Sequence, residues 1–482
     1  MSAAALRVGW CPGALRPMAS GDGLIVRVKP RGASLTLLQA GAIAGAAARH
    51  GNGLLDLTAR ANVQVRGVTE AGLPALTIDL DDVGLLDADP AAESRRNVLV
   101  SPLAGLDPTA AFDIRPAVTA LEAALVDAED LGDLPSKFGV AVSDGGLMRL
   151  STASADIRVE AARDGRFVVR LDGDDRVVAT CTTRGLPDVA LGFMRGFAAW
   201  CATESGLRRM RDLVARVGPE AVLDGPKWTP HPSERRSIDP SLTNEGRRQN
   251  PPFRVPQAAP RVENSDGDET SYRPREHKVG LRPDRAATDE PSVPIRPIPF
   301  VGPFTVGSRV TLGVAAPFGR LDARQFEVLV RGAVRAGAEG LRVTPWRALL
   351  VPGLSPEAAD RLAKDCGAVD LIVDAADPRL RVAACPGSPG CRRGTTPVLE
   401  HAAAWAALIG SGDSSHDILL HVSGCAKGCA HPGPAPLTLV ATEGRYSLVI
   451  GEAPWNEPVA SGLAVGEVRH LLPINLGLDR CP

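Results

Sequence analysis

The chain has 482 residues, of which 44% are hydrophobic and 23% are charged, and its formal net charge is −2. This length and apolar content exclude a short or disordered chain and predict more than one domain. The near-neutral charge is atypical of nucleic-acid-binding proteins, and no apolar run approaches the roughly 18 residues of a membrane helix, so we expect a cytoplasmic protein with no nucleic-acid or membrane partner.

Residues 1–85 contain a pattern that recurs later in the chain. They predict a strand (LIVRVKP), an amphipathic helix (LTLLQAGAIAGAAARHG) and a second strand (LLDLTARANVQVRG), which together form a split β-α-β unit. A shift of 286 positions aligns this unit with residues 300–375 without a gap. Identical residues include Leu35 and Leu321, Gln39 and Gln325, Ala47 and Ala333, Arg49 and Arg335, Gly51 and Gly337, Leu55 and Leu341, and Thr58 and Thr344. Duplication explains this match better than chance similarity between alanine-rich helices.

A weaker repeat follows each copy, since RRNVLVSP at 95–102 resembles LRVAACP at 380–386. Between the two halves lies a stretch, 227–299, that is rich in Pro, Arg, Glu, Ser and Asn. Such a composition buries too little apolar surface to offset chain entropy, so it predicts an extended linker.

Nine cysteines occur, and an odd number in a reducing compartment argues against a disulfide framework. Five of them are scattered along the chain and are predicted to be small buried residues or inert thiols. They are Cys11, Cys181, Cys201, Cys366 and Cys481. Only Cys11, in the turn sequence CPG, keeps a functional alternative.

The other four cysteines, Cys385, Cys391, Cys425 and Cys429, form two close pairs in CPGSPGC and, 34 residues later, in HVSGCAKGC. Gly and Pro allow each loop to curl so that both sulfurs face inward, as a [4Fe–4S] cluster requires. Structural zinc is the main alternative, although zinc sites more often use closer cysteine pairs than C-x5-C. Four unrelated buried thiols are the remaining alternative.

The motifs CPGSPGC and SGCAKGCAHP closely resemble the cluster-binding loops of the nitrite and sulfite reductase hemoprotein superfamily. The resemblance covers both halves but not the linker. It implies an α+β fold with pseudo-two-fold duplication, built from ferredoxin-like half-domains and two larger α/β domains. The expected boundaries are 1–85 and 300–375 for the half-domains, 90–226 for the first α/β domain, 376–482 for the 4Fe–4S-binding α/β domain and 227–299 for the linker.

Reductases of that superfamily bind the carboxylates of siroheme with basic residues of the first half. The matching positions, implied as tetrapyrrole-binding residues, are Arg60, Gln64, Arg96 and Lys137, with Lys427 in the cluster loop. Arg and Lys hold carboxylates through charge-assisted hydrogen bonds. Two departures weaken the match to siroheme: Gly139 replaces the second lysine of a K-x-K pair, and CAKGCAHP replaces the usual CPNGCARP. They indicate a macrocycle that is substrate rather than cofactor.

Basic residues near the start of the chain have an ordinary interpretation as well. Arg27, Lys29 and Arg31 alternate along a predicted strand and would then form a solvated face. We expect this interpretation to hold for Lys29 and Arg31.

The segments CPGALRPMASGDGLIVRVKP and HGNGLLDLTARANVQVRG look most like one branch of the superfamily, the monooxygenases of aerobic cobalamin biosynthesis. That branch implies hydroxylation of precorrin-3A to precorrin-3B with O2 and NADH. It also implies a mononuclear non-haem iron, for which His50, His421 and His431 lie near family motifs without facial-triad spacing. No GxGxxG fingerprint is evident, so electrons from NADH are expected through a partner protein.

Two other functions remain open at this point, and no catalytic residue is assigned. One is a siroheme-dependent nitrite or sulfite reductase. The other is a non-enzymatic electron carrier or zinc-stabilised binding protein.

Overall fold

The computed structural model describes residues 11–151, 153–204, 206–224, 300–410 and 418–475. All of these belong to one structural unit of the chain. The linker predicted at 227–299 lies outside the described residues, as does Cys481. No helix within the described ranges is long and apolar enough to cross a bilayer.

The first half contains ten strands and six helices within the described residues. Its ferredoxin-like part consists of β1 (Met18–Ser20), β2 (Gly23–Val28), β3 (Ser34–Thr36), α1 (Leu37–His50), β4 (Leu54–Leu57), β5 (Val63–Val68) and α2 (Leu73–Asp81). Its α/β part consists of α3 (Pro90–Arg95), β6 (Val98–Val100), α4 (Arg115–Asp127), β7 (Val140–Ser143), β8 (Ile157–Ala161), β9 (Phe167–Leu171), β10 (Ala179–Cys181), α5 (Leu186–Thr203) and α6 (Met210–Val217).

The second half repeats this order. Its ferredoxin-like part consists of β11 (Gly302–Val306), β12 (Arg309–Ala315), β13 (Arg320–Asp322), α7 (Ala323–Arg335), β14 (Gly340–Val343), β15 (Ala348–Leu354) and α8 (Pro356–Gly367). Its α/β part consists of β16 (Val382–Ala384), α9 (Val398–Ile409), β17 (Leu420–Ser423), β18 (Leu437–Thr442), β19 (Arg445–Ile450), β20 (Ala460–Leu463) and α10 (Val465–Asn475).

The ferredoxin-like sheets exchange one strand between the halves. Their strand orders are β1-β2-β5-β4-β13 and β11-β12-β15-β14-β3. Leu35 in β3 lies opposite Leu341, and Leu321 in β13 lies opposite Leu55. All four leucines are buried, and the two pairs are equivalent under the 286-residue shift. The exchange therefore joins the halves through two matching apolar contacts.

Polar contacts repeat with the same shift. Each of the helices α1 and α7 starts at a capping box whose Gln also donates to a distant backbone carbonyl, and each ends in an exposed ion pair. The pairs are Gln39 to Val83 (3.1 Å) and Gln325 to Val369 (2.7 Å), and Arg49 with Asp79 (2.8 Å) and Arg335 with Asp365 (2.7 Å). A duplicated α+β fold is thus confirmed down to individual side chains.

The α/β parts share a topology as well. Their strand orders are β10-β9-β8-β7-β6 and β16-β17-β18-β19-β20. In each sheet the first three strands along the chain run parallel and the last two are antiparallel. Residues 95–102 and 380–386 contain equivalent strands, β6 and β16, which confirms the weaker repeat.

The predicted second strand of each β-α-β unit was wrong, because it is a hairpin, β4–β5 in one copy and β14–β15 in the other. The chain reverses where Ala61 and Arg347 take the left-handed conformation, with φ of 51° and 60°. These positions are equivalent under the 286-residue shift. Because neither is Gly, the usual residue for such a turn, the sequence carries no clear turn signal there.

Candidate functional site

A polar cleft opens in the first half where β2, the β4–β5 turn, β6 and β7 meet. Its lining includes Lys29, Arg60, Asn62, Arg96, Gly139 and Ser154. The structure therefore brings two of the predicted tetrapyrrole-binding arginines together with the glycine that replaces a lysine.

Arg60 lies at the tip of the β4–β5 hairpin, and its Nη2 donates to the carbonyl of Lys137. A Cβ atom on residue 139 would stand 3.3 Å from Arg60 Nη1, so the glycine leaves room for the guanidinium. Burial lowers the pKa of Arg60 to about 10, and the nearby charge of Arg209 contributes to the shift. A partly buried cation whose hydrogen-bond partner is neutral is well placed to bind an anion.

Arg96 is only 3% exposed, and its guanidinium is engaged inside the protein. It forms a two-pronged ion pair with Asp87, with Nη2 to Oδ2 at 2.8 Å and Nε to Oδ1 at 2.9 Å. Nη2 also donates to the carbonyl of Lys29 at 2.9 Å, and Nη1 lies 3.5 Å from Glu122. A role of Arg96 in binding carboxylates stays a prediction, because this geometry is that of a structural ion pair.

Gln64 is buried in β5 opposite Arg27 of β2. With its amide oriented so that the oxygen faces the guanidinium, it accepts from Arg27 Nε at 3.1 Å and Nη2 at 2.8 Å. Gln64 thus orients a cation, and its direct contact with a tetrapyrrole stays a prediction.

Lys29 was predicted to be solvated, and this was wrong, since it is 9% exposed and lines the cleft. Its Nζ donates to the backbone carbonyl of Glu93 at 2.6 Å. Burial lowers its pKa to about 8, and the charge of Glu93 opposes the shift. Alternation alone missed this residue, because it does not tell a solvent face from one covered by a second layer. Arg31, by contrast, is half exposed and pairs with Asp87 at 2.8 Å.

Cys11 and Lys137 lie beside these cations. Burial raises the pKa of the Cys11 thiol, but Arg27, a hydrogen bond with Ser136 and Lys137 outweigh it, and the pKa is lowered overall. Desolvation raises the pKa of Cys429, and Lys137 is among the charges that oppose this shift. The cationic cleft of the first half therefore adjoins the cysteine loop of the second.

The two cysteine loops converge. Cys385 follows β16 and is buried, and the Gly424 N–H donates to its Sγ at 3.0 Å. Burial raises the pKa of Cys385, and the neighbouring thiols Cys429 and Cys391 add to the shift. Each loop thus places its sulfurs in the electric field of the other.

The Cys429 thiol is influenced by cysteines of both loops. Desolvation raises its pKa, Lys427 opposes the shift, and Cys425 and Cys391 add to it. The charge of Lys427 therefore acts on Cys429, although contact of Lys427 with a tetrapyrrole stays a prediction.

Whether these thiols fit a [4Fe–4S] cluster is decided by their chemistry. In the described part of the chain, no group of three or more His, Cys, Asp or Glu side chains is placed to hold a metal ion. The pKa shifts of Cys385 and Cys429 nevertheless involve all four thiols, Cys385 Sγ accepts a backbone N–H, and a Cβ on residue 424 would stand 3.3 Å from that Sγ. Glycine-lined loops with N–H groups directed at sulfur suit an anionic cluster. The residues fit the group, and their assignment as its ligands is a proposal.

Two of the scattered cysteines, Cys181 and Cys366, are buried, and no other thiol of the described residues is among the groups that shift their pKa. Burial raises the pKa of both to about 12, as expected for inert thiols.

Two of the three candidate histidines lie beside the cluster loop. His421 is fully buried, and neither of its ring nitrogens has a hydrogen-bond partner among the described residues. Burial lowers its pKa to about 3, with smaller contributions from His431 and Arg347. The Nε2 of His431 donates to the Pro434 carbonyl at 3.0 Å. His50, more than 300 positions before the loops in the sequence, pairs instead with Asp79 at 2.8 Å.

Known proteins share this architecture. The nitrite/sulfite reductase ferredoxin-like half-domain family matches the chain twice, at residues 16–83 and 305–369. A solved structure, the NirA protein of Mycobacterium tuberculosis, aligns with a TM-score of 0.68 at 18% identity, covering 93% of this chain and 79% of that one. At that identity the likeness concerns the fold alone.

Two curated relatives align over most of their length. A precorrin-3B synthase from Sinorhizobium sp. is 30% identical over 463 residues, which cover 93% of this chain and 84% of the relative. A ferredoxin–nitrite reductase from Synechococcus elongatus is 23% identical over 450 residues, which cover 91% and 80%.

The half-domain match in both copies and the full-length relatives, both oxidoreductases, identify an oxidoreductase with the nitrite/sulfite reductase type of fold. Within that class the chain belongs to the precorrin-3B synthase family. Its alignment with the Sinorhizobium member, at 30% identity, covers 93% of this chain and 84% of the relative.

Proposed function

We propose that the chain is a tetrapyrrole monooxygenase that hydroxylates precorrin-3A to precorrin-3B with O2 and electrons from NADH, in aerobic cobalamin biosynthesis. The observation that carries this proposal is the cleft of buried and partly buried cations in the first half, together with the paired cysteine loops of the second. Lys29 and Arg60 donate there to neutral carbonyls rather than to carboxylates. Glu93 and Asp156 act on these two cations through their charges, but neither cation forms an ion pair among the described residues, so both can still pair with the carboxylates of a polyanionic macrocycle.

Cys385, Cys391, Cys425 and Cys429 would hold the cluster, which supplies one-electron transfer when bound. Lys137 contributes to the pKa shifts of both Cys11 and Cys429, which supports a macrocycle bound near that cluster. A protein donor would pass on electrons from NADH, and the Synechococcus relative, named for ferredoxin, supports such a donor. Activation of O2 calls for a second, mononuclear non-haem iron in this proposal, and its ligands are unassigned.

A siroheme-dependent nitrite or sulfite reductase is the second candidate, supported by the nitrite reductase relative. Gly139 argues against it, because it removes a cation that could bind a macrocycle carboxylate. An enzyme that keeps its macrocycle permanently gains from every such contact, whereas an enzyme that turns the macrocycle over must release product. The non-enzymatic alternative receives no support, since both full-length relatives are enzymes.

The test is isotopic. Anaerobically purified holoprotein is given precorrin-3A, a reductant and 18O2, and the product is weighed by mass spectrometry. The proposal predicts a product with one 18O atom from O2. Unchanged precorrin-3A, together with reduction of nitrite or sulfite by the same sample, would establish the second candidate instead.

A further inference from the structure

Each cysteine loop is held by an arginine from a ferredoxin-like half. Arg66, in β5 of the first half, donates through Nη2 to the carbonyl of Gly390, the residue before Cys391. Arg347, in the β14–β15 turn of the second half, donates through Nη2 to the carbonyl of Ala430 at 2.8 Å. Ala430 is the residue after Cys429.

The charge of Arg66 is neutralised by neighbouring carboxylates. Arg66 is 2% exposed and forms ion pairs with Asp22 at 2.7 Å and Asp56 at 3.1 Å. Around it the loop has no spare room, because a Cβ on Gly21 would stand 2.1 Å from the carbonyl oxygen of Pro389. Arg66 thus fastens the 385–391 loop to the first half without adding net positive charge.

The charge of Arg347 is not cancelled by its contact with the loop, because that contact is to a neutral carbonyl. Burial lowers the pKa of Arg347, and the negative charges of Asp56 and Cys385 oppose the shift. Arg347 therefore lies in the field of a predicted cluster ligand while bonded to the loop that carries two others. Its left-handed φ of 60° is held by the hairpin, so the side chain is aimed from a fixed turn.

We propose that Arg347 is a positioning residue that holds the 425–429 loop and raises the reduction potential of the cluster. The inference rests on the four cysteines being its ligands. Reduction adds one negative charge to the cluster, and a nearby cation in a poorly hydrated setting stabilises that added charge. Removing the cation should therefore favour the oxidised state.

The test measures the midpoint potential of anaerobic holoprotein by a redox titration followed by electron paramagnetic resonance. Arg347→Gln is expected to shift the potential to more negative values, and Arg347→Lys to shift it less. All three side chains bear the same left-handed strain, so stability is matched at the backbone. Arg335→Gln, which breaks only the exposed pair with Asp365, is the control and should keep the wild-type potential.

The outcomes separate this inference from the proposed function. Wild-type protein without a cubane signal would remove the cluster assignment and the proposed function with it. A wild-type cluster whose potential is unchanged in Arg347→Gln would overturn the inference alone. If Arg347→Gln is recovered without cluster, Arg347→Met, which is also neutral and unbranched, decides: a negative shift supports the role, and the wild-type potential refutes it.

Discussion

The cations of the cleft differ in whether their charge is already matched inside the protein. Arg96 is paired with Asp87, whereas Arg60 and Lys29 donate to backbone carbonyls. A carbonyl satisfies a donor but not a full charge, so Arg60 and Lys29 gain most from a carboxylate ligand. Among the predicted binding residues, Arg60 is therefore the one whose replacement should weaken tetrapyrrole binding most.

Replacing Arg60 by Ala should raise the dissociation constant of precorrin-3A about tenfold to a hundredfold, since a charge-assisted hydrogen bond is worth about 1.5–3 kcal/mol. Anaerobic titration measures this, with the cluster absorption expected to stay unchanged. Arg216→Ala, which removes an exposed pair with Glu204, is the control. Equal affinities for Arg60→Ala and wild-type protein would remove Arg60 from the site.

Lys29 should make binding depend on pH. Its pKa of about 8 means that it loses its charge well below the ordinary lysine value of about 10.4. Carboxylate affinity should therefore fall as the pH rises through about 8, and Lys29→Arg, which stays charged, should flatten that fall. The pKa of Cys11 is also lowered, so ionisation of this thiol could contribute to the same pH profile. Repeating the titration with Cys11→Ser removes that contribution. A pH profile identical in Lys29→Arg and wild-type protein would count against this role.

Cysteine replacement separates ligands from inert thiols. Cys425→Ser should lose the cubane, because serine is a poor substitute for a thiolate ligand, whereas Cys366→Ser should keep it. Iron and sulfide content and the paramagnetic signal of the reduced protein report the result. A wild-type cluster signal in reduced Cys425→Ser protein would contradict the ligand assignment.

At the scale of elements, the short strands β3 and β13 carry much of the contact between the halves. Each has three residues and pairs with a strand of the other half. Around β13, Arg320 also forms an ion pair with Asp56 across the junction, at 2.7 Å. Because the exchange is reciprocal, neither sheet is complete without the other half.

Leu35→Ala and Leu321→Ala should therefore destabilise the protein by similar amounts, about 2–5 kcal/mol each, as for other buried leucines. Denaturant unfolding measures the loss. Leu38→Ala serves as the control, since Leu38 is 73% exposed and lies next to the same strand. A large cost for one substitution and none for the other would show that the two junctions are not equivalent.

The sequence predicted the elements whose signals are local or repeated. Identities at a shift of 286 positions, such as Gln39 with Gln325, exposed the duplication, and the helices followed from their periodicity. The hairpins were missed because Ala61 and Arg347 take left-handed conformations without a glycine. The exchanged strands were missed because three residues carry no periodic pattern, and their partners lie in the other half.

The site was predictable to the same degree. Paired spacing pointed to the four cysteines, but not to Arg347, which reaches the cluster loop from a distant turn. Lys29 was assigned to solvent because burial on a strand depends on what packs above it. Contacts made by tertiary structure alone leave no mark in a single sequence.

For the whole molecule, duplication gives a cationic cleft in the first half and a pair of cysteine loops in the second. Lys137 belongs to the first half and Cys429 to the second, and each lies in the field of the other. A macrocycle bound by Arg60 and Lys29 would therefore lie beside the cluster. The central question is whether that macrocycle arrives as a substrate or remains as a cofactor.

Anaerobic titration of precorrin-3A into wild-type protein as purified, followed by absorption, answers this most directly. We predict saturable binding of one precorrin-3A per chain to protein that contains iron and sulfide but no siroheme. Absence of binding, or siroheme present at one per chain, would contradict the proposal and indicate a siroheme reductase.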